Sequence, residues 1–317
     1  MSIVGIDIGG TNVRVVVVDR SGRVLARTSL ETRAEQGPVA TFARIFDAIR
    51  GLAPAPDPRI EAIGIGATGP VDPLTGIVDN PYTLGGWPPT DLRTPFAEAF
   101  AAPVVVDNDA NVAAAGEWWA GAARGYRRVA MVTVGTGIGV AALIDGKIQR
   151  AVDGRHGEAG HMVLDPNGPE CYCGARGCWE VLASGTALGR NAKERAKRDG
   201  GLLMELAGGD ADAVDGKILF EAAARGDVSA AAVIDEAASW IGLGLVNLAA
   251  TLTPDVIVLG GGVTRRLPAM RAGIEAVLRR HAVMVPTDMP VVAAELGEDA
   301  GPIGAARLAA GHEASPA

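Results

Sequence analysis

All three cysteines of this 317-residue chain fall within Cys171-Tyr172-Cys173-Gly174-Ala175-Arg176-Gly177-Cys178, and His161 stands ten residues before the first of them. Three thiolates and one imidazole suit a closed tetrahedral zinc site, and the interleaved glycines permit the short C-x-C bend. An odd cysteine count argues against a disulfide framework. The competing reading is three buried reduced cysteines and a surface histidine, but cysteines this closely spaced around glycines are poor core formers. His156, next to Arg155, is the weaker ligand candidate. His281 and His312 fall on a helix and in the tail and are read as non-functional.

A second cluster is Val104-Val105-Val106-Asp107-Asn108-Asp109-Ala110-Asn111, a strand running into a helix start. Any one of these polar residues serves as a helix cap, but capping does not account for their density. Phosphoryl transfer to an alcohol needs a carboxylate to take the attacking hydroxyl's proton and a neighbour to fix that hydroxyl. Asp109, with a neighbouring Asn, is the candidate for that work.

Two glycine turns suit anions. In Asp7-Ile8-Gly9-Gly10-Thr11 the glycines let backbone N–H groups approach phosphate, Thr11 adds a hydroxyl, and Asp7 is placed to hold a hydrated Mg²⁺. Gly135-Thr136-Gly137-Ile138-Gly139 repeats the pattern. Alone, each is equally a plain hairpin turn; in matching positions of a duplicated unit they point to a nucleotide's phosphates gripped twice. Gly260-Gly261-Gly262 follows the apolar run Val256-Ile257-Val258-Leu259, a flat surface at a strand's end where adenine could lie, or else a turn before a helix. Gly64-Ile65-Gly66-Ala67-Thr68-Gly69 has dinucleotide spacing, but Pro70 and Pro73 stand where that fingerprint needs a helix, and no P-loop sequence is present. Trp87, Trp118, Trp119 and Trp240 are read as packing residues.

The elements that would position these groups follow from periodicity and turn residues. Apolar runs at 3–8 and 13–18 and at Val24-Leu25-Ala26 predict a strand meander. Runs at 129–134 and 140–144, with a third after Asp145-Gly146, predict its repeat. Between the copies the pattern predicts a helix at 38–52, a strand at 60–66, a Pro/Gly-rich loop at 69–95, a helix at 95–101 and a strand at 103–107. An irregular segment at 153–179 precedes helices at about 183–198, 202–207, 217–225 and 229–250. A strand at 255–259, a helix at 267–281, a strand at 290–293 and a helix at 301–310 complete an α/β chain with a frayed tail at 311–317. Two domains are expected: a small N-terminal one over 1–109, completed by the C-terminal helix at about 300–311, and a larger one over 110–299 with the cysteine loop and helical insert.

Composition narrows the partners. The net charge of −8, with no basic block, offers no footprint for nucleic acid. The uncharged stretches near 129–144 and 237–254 are interrupted by Gly, Thr, Asn or Pro and read as buried core rather than membrane spans. Met1-Ser2-Ile3-Val4-Gly5 runs straight into a strand pattern without a basic leader, so a cytoplasmic location is expected.

Taken together, Asp7-Ile8-Gly9-Gly10-Thr11, Asn108-Asp109-Ala110-Asn111, Gly135-Thr136-Gly137-Ile138-Gly139, Gly157-Glu158-Ala159-Gly160-His161, Cys171-x-Cys173-Gly174-x-x-Gly177-Cys178-x-Glu180 and Gly260-Gly261-Gly262 resemble the ROK family of sugar kinases, in particular its bacterial glucokinases, over nearly the whole chain. The resemblance implies a two-domain actin-like ATPase (ribonuclease H-like) fold with ATP and sugar in the interdomain cleft. It implies glucose phosphorylation at the 6-hydroxyl from Mg·ATP with Asp109 as general base. Gly69, Asn108, Asp109, Glu158, His161 and Glu180 then contact the sugar, and Asp7, Gly9, Gly10, Thr11, Gly135, Thr136, Gly137 and Gly260 to Gly262 hold the nucleotide. His161 would bind zinc through one ring nitrogen and sugar through the other. Homodimers or tetramers are implied. Asn12 and Thr68 depart from the common pattern, and Thr68, where many members carry proline, bears on the sugar contact near Gly69. An N-acetylhexosamine kinase is the alternative within enzymes. A sugar-responsive repressor is the alternative outside them, disfavoured because Ile3 begins the first strand where that branch carries a helix-turn-helix.

Overall fold

The computed structural model describes residues 2–52, 60–152, 154, 157–262, 266–283 and 289–312. Strands β1 (Ser2–Ile8), β2 (Asn12–Val18) and β3 (Val24–Glu31) form an antiparallel meander. Helix α1 (Gly37–Leu52) then leads to β4 (Ile60–Ala67), parallel to β1. The segment predicted as a loop at 69–95 instead forms a small antiparallel sheet of β5 (Val71–Asp72), β6 (Ile77–Val78) and β7 (Thr90–Asp91). Two-residue strands carry no alternation to read. Their turn is closed by the Asp72 carboxylate, which accepts from Leu74 N–H at 2.8 Å and the Thr75 hydroxyl at 2.8 Å. Helix α2 (Thr94–Phe100) and β8 (Val104–Asn108) complete a five-stranded sheet of order β3-β2-β1-β4-β8.

Helix α3 (Asp109–Ala120) precedes a second meander, β9 (Arg128–Val134), β10 (Ile138–Ile144) and β11 (Lys147–Ile148). Helices α4 (Trp179–Ala183), α5 (Gly185–Asp199), α6 (Gly201–Leu206), α7 (Gly216–Ala224) and α8 (Val228–Leu252) follow. The helix predicted at about 183–198 is α5, and the unpredicted short α4 precedes it; Ser184 between them is extended and caps α5, its hydroxyl accepting from Ala187 N–H at 3.2 Å. Then come β12 (Val256–Gly260), α9 (Leu267–Arg280), β13 (Val291–Ala293) and α10 (Ala300–His312). The second sheet has the order β11-β10-β9-β12-β13, which is the order of the first when the meanders are matched. The duplication predicted from the glycine turns is therefore present in the topology.

The chain divides into two compact units, Met1–Met131 with Ala141–Gly157 and Ala294–Ala317, and Val132–Val140 with Glu158–Ala293. In the first, one sheet face buries Ile6, Ile8, Val13 and Val15 with Phe42, Ile45 and Phe96 from α1 and α2. The other face buries Ile3, Val16, Val18 and Ala62 against Ile303, Ala306 and Ala309 of α10. With both faces covered, the strands read as near-continuous apolar runs. Helix α10 sits so close that a Cβ on Gly5 or Gly64 would lie 1.8 Å from the carbonyl oxygen of Pro302 or Ala305. Those glycines permit the docking.

The second unit is organised on α8, whose buried face includes Val233, Ile234, Ile241 and Leu245 and packs against α4, α5, α7 and α9. By length and composition α8 is apolar enough to cross a membrane, but its buried stripe is that of a core helix.

Candidate active site and metal centre

In the first unit, β8 runs into α3 and places three polar residues at the junction, each differently employed. Asn108 is the N-cap, its side-chain oxygen accepting from Ala110 N–H at 2.9 Å. Asp107, 2% exposed, is turned inward: its carboxylate accepts from Asn108 N–H at 2.7 Å and Asn111 Nδ2 at 2.9 Å and pairs with the Arg150 guanidinium. Asp109 is exposed, on the first residue of the helix. Asn108 caps through its side-chain oxygen and Asp107 pairs with Arg150, while Asp109 faces outward and also accepts from Ala110 N–H at 2.8 Å.

Gly69 lies against this junction, since a Cβ there would fall 2.9 Å from Asn108 Nδ2. Asn80, unnoticed in the sequence because it sits in the misread segment 69–95, holds the loop. Its Nδ2 donates to the Gly69 carbonyl, and its Oδ1 accepts from Tyr82 N–H at 3.1 Å and Thr83 N–H at 2.9 Å.

The first glycine turn is tight: Gly9 N–H donates to the Asn12 carbonyl at 3.0 Å, and Thr32 Oγ1 donates to the Gly9 carbonyl at 2.6 Å. A Cβ on Gly10 would lie 2.5 Å from Thr83 Cγ2. Thr11 is exposed at the tip. Asp7, at the end of β1, has its carboxyl pushed up to about 7, first by burial and then by the negative charge of Asp109, with Arg14 pulling the other way. The fold thus holds a carboxylate short of positive charge, which is the environment a divalent cation would complete.

In the second unit the other turn has Gly135 N–H donating to the Gly137 carbonyl at 2.9 Å. The start of α5 ties it down: Gly185 N–H donates to Gly135 O at 2.7 Å and Thr186 Oγ1 to Thr136 O at 2.7 Å. Gly261, with φ +88°, brings the triple-glycine segment against β9, where a Cβ would lie 2.4 Å from the Val134 carbonyl oxygen. Val134, at the edge of the turn, and Gly261, 127 residues apart in sequence, are therefore neighbours.

The cysteine loop packs onto the same turn. Glu180 accepts from Ile138 N–H at 2.9 Å, a Cβ on Gly137 would lie 2.2 Å from Glu180 Oε2, and one on Gly160 would lie 2.1 Å from the Ile138 carbonyl oxygen. Glu158 precedes the 3₁₀ turn Ala159–His161. The ligand atoms of His161, Cys171, Cys173 and Cys178 all lie within 4.8 Å of one another. His161 Nδ1 is 3.5 Å from Cys171 Sγ, and Cys173 Sγ is 3.6 Å from Cys178 Sγ. Bonds of ~2.3 Å to sulfur and ~2.0 Å to nitrogen in a tetrahedron require edges of about this length, so the four residues fit one metal ion. Without it Cys178 is costly to ionise: burial, then hydrogen bonds with the other thiols, push it up to about 12. Gly177, at φ +62°, makes the bend, and Trp179 is fully buried beneath the loop. His156 lies outside the described residues.

Two sheets of one topology, each closed by a glycine turn at the end of its first strand, define a two-domain actin-like ATPase fold. The chain belongs to the ROK family, whose model matches residues 3–312. It is 36% identical to the glucokinase of Streptomyces coelicolor over 312 residues, covering 96% of each chain. Among solved structures it is similar to a ROK family glucokinase from Streptomyces griseus in complex with glucose and AMPPNP, at a TM-score of 0.82 and 37% identity over 98% of this chain and 99% of that one. It is also similar to the ROK hexokinase from Thermus thermophilus, at a TM-score of 0.83 and 34% identity over 98% of each.

Proposed function

We propose that the protein is an ATP-dependent glucokinase in which Asp109 takes the proton from the 6-hydroxyl of glucose as that oxygen attacks the γ-phosphorus of ATP. The P–O bond to ADP breaks, and the proton ends on Asp109. The observation that carries this reading is the arrangement at the β8–α3 junction: Asp107 and Asn108 are buried, and Asp109 is the exposed carboxylate at the start of the helix. Kinship with glucokinases over the full length supplies the substrate.

Roles for the remaining residues follow from donor and acceptor capacity. Each sugar hydroxyl both donates and accepts, so Asn108, Glu158, His161 and Glu180, with the Gly69 backbone, make a stereospecific set. Gly10, Thr11, Thr136 and Gly137 would present backbone N–H groups and hydroxyls to the phosphates, Gly9 and Gly135 would close the turns through their own N–H groups and let the chain approach, and Gly260 to Gly262 would lie under adenine. Asp7 would hold Mg²⁺, which neutralises charge on the transferring group. His161, Cys171, Cys173 and Cys178 would hold zinc, which fixes the loop and the tautomer of His161. A homodimer or tetramer is the assembly inferred, to be read from light scattering.

A coupled ADP assay with glucose, mannose, fructose, N-acetylglucosamine and N-acetylmannosamine tests the reading. ADP release is expected to be fastest with glucose. Preference for an N-acetylated sugar would move the substrate, and no release with any sugar would remove the enzyme.

A further inference from the structure

One buried amide, that of Asn80, stands between the loop given to glucose and the turn given to phosphate, all within the first unit. The strands β1 and β4 run parallel and their ladder ends on the pair Ile8 and Ala67. The turn Gly9-Gly10-Thr11 and the loop at Gly69 therefore leave the sheet side by side. The segment 79–84 crosses both. Asp79 N–H donates to the Pro70 carbonyl at 3.1 Å, and Leu84 N–H closes a turn on the Asn80 carbonyl at 3.0 Å.

The Asn80 amide, 6% exposed, uses its two ends for two tasks. Nδ2 donates to the Gly69 carbonyl and lies 3.5 Å from Thr68 Oγ1. Oδ1 accepts from the N–H groups of Tyr82 at 3.1 Å and Thr83 at 2.9 Å. Donors face the oxygen and a carbonyl faces the nitrogen, so turning the amide over would set like against like, and its orientation is fixed. The Thr83 so held presses on the phosphate turn: a Cβ on Gly10 would lie 2.5 Å from Thr83 Cγ2 and 2.9 Å from its carbonyl oxygen. Position 10 must therefore lack a side chain whatever binds at the turn. On the other side Gly69 lies against Asn108, where a Cβ would fall 2.9 Å from Nδ2. A continuous line of contacts runs from Asn108 through Gly69, Asn80 and Thr83 to Gly10.

We infer that Asn80 is a positioning residue shared by both substrates: its NH₂ end sets the Gly69 loop for glucose, and its oxygen sets, through Thr83, the Gly9-Gly10-Thr11 turn for the phosphates of ATP. The inference rests on the proposed glucokinase reading. One side chain thereby keeps the loop that holds the attacking sugar and the turn that holds the phosphates in fixed relation.

The two ends can be removed separately. Asn80→Asp keeps an oxygen for the Tyr82 and Thr83 N–H groups, since aspartate closes such turns as asparagine does, but sets a second oxygen against the Gly69 carbonyl. Asn80→Ala removes both ends. Thr83→Ala, at an exposed position, trims only the contact with Gly10. Each variant is titrated calorimetrically with glucose and, separately, with Mg·AMPPNP. In Asn80→Asp glucose affinity should fall about tenfold while AMPPNP stays within about twofold of wild type, and Asn80→Ala should lose about three- to tenfold for both, the value of a neutral hydrogen bond. Thr83→Ala should lose about threefold for AMPPNP alone, the value of one methyl contact. Equal weakening of both ligands in Asn80→Asp, as a general loosening of the fold would give, overturns the inference, and so do wild-type affinities in Asn80→Ala. If the Asn80 variants do not fold, Thr83→Ala decides: AMPPNP weakened with glucose unchanged supports the inference, and no change in either overturns it. Wild-type protein that binds AMPPNP but no glucose removes the glucokinase reading and the inference with it, whereas wild-type binding of both with no split among the variants removes the inference alone.

Discussion

The two meanders share a strand order and differ in what stands two residues before the first glycine of the turn. In the first copy it is Asp7, a half-buried carboxyl that desolvation pushes up to about 7, with Arg14 as its opposing charge. In the second it is Thr133, whose hydroxyl donates to the Gly139 carbonyl at 3.3 Å. The copies also differ in what joins the meander to the next parallel strand. Among the described residues, 32–52 carry one α-helix, α1, whereas 157–255 carry the cysteine loop and five α-helices, α4 to α8. A duplicated scaffold has thus been divided: the first copy places an acid two residues before its turn, and the second places a neutral threonine there, with Glu180 and the His161–cysteine loop packed on the turn instead.

The division is tested most severely at the acid pair of the first copy. Asp109→Asn keeps the shape of an exposed side chain, so folding should be unaffected, while kcat should fall by about 10² to 10⁴, the usual contribution of a general base. Glucose affinity should stay within about threefold. Near-normal turnover would remove Asp109 from the chemistry and the acidic copy from its role.

Metal removal addresses the second copy. Stripping the ion should loosen the loop that carries Glu158, His161 and Glu180, weakening glucose binding by about 10- to 100-fold, the range seen when a site loses its supporting shell. The melting transition should survive at chelator concentrations where affinity is already lost. Unchanged glucose affinity in metal-free protein would make the loop a staple unrelated to the sugar.

Asp7 gives a pH signature. Its folded value of about 7 lies above its usual 3.8, so the fold binds that proton more tightly than the unfolded chain does. The resulting stability is full below about pH 4 and is lost as pH rises toward 7. Asp7→Asn, measured without nucleotide or magnesium, should therefore gain on wild type in Tm between pH 5 and pH 7.5 and then level off. The whole effect is at most on the order of 4 kcal/mol. A pH-independent difference would mean that Asp7 titrates as an ordinary carboxyl and lacks the charge deficit ascribed to it.

What was legible beforehand follows from distance along the chain. Helices and strands lay within a few residues of their predicted bounds, because periodicity and glycine or proline breaks are local signals, and the repeated turns announced the repeated sheets. The small sheet over 71–91 was missed because two-residue strands have no period. The cysteines and His161 were visible as a set because ten residues separate them. Pairings between remote segments were not: Asp107 with Arg150, Asn80 with Gly69, Glu180 with Ile138 N–H, and Gly261 with Val134. Each joins residues whose types are unremarkable alone.

The smallest effect is expected at Thr133, and it is the cleanest control on the comparison. Its hydroxyl makes one long hydrogen bond to a backbone carbonyl and faces no charge deficit that the structure shows. Thr133→Val keeps the β-branched shape and should cost about 0.5–1.5 kcal/mol of stability, with the KM for Mg·ATP within about threefold of wild type. Asp7→Asn in the same assay should raise the magnesium concentration needed for half-maximal rate, because it removes a carboxylate rather than a hydroxyl. The pair must behave differently for the division to hold. Equal magnesium dependence in both variants would mean that the matched positions do equivalent work and that the acid in the first copy is not a metal ligand.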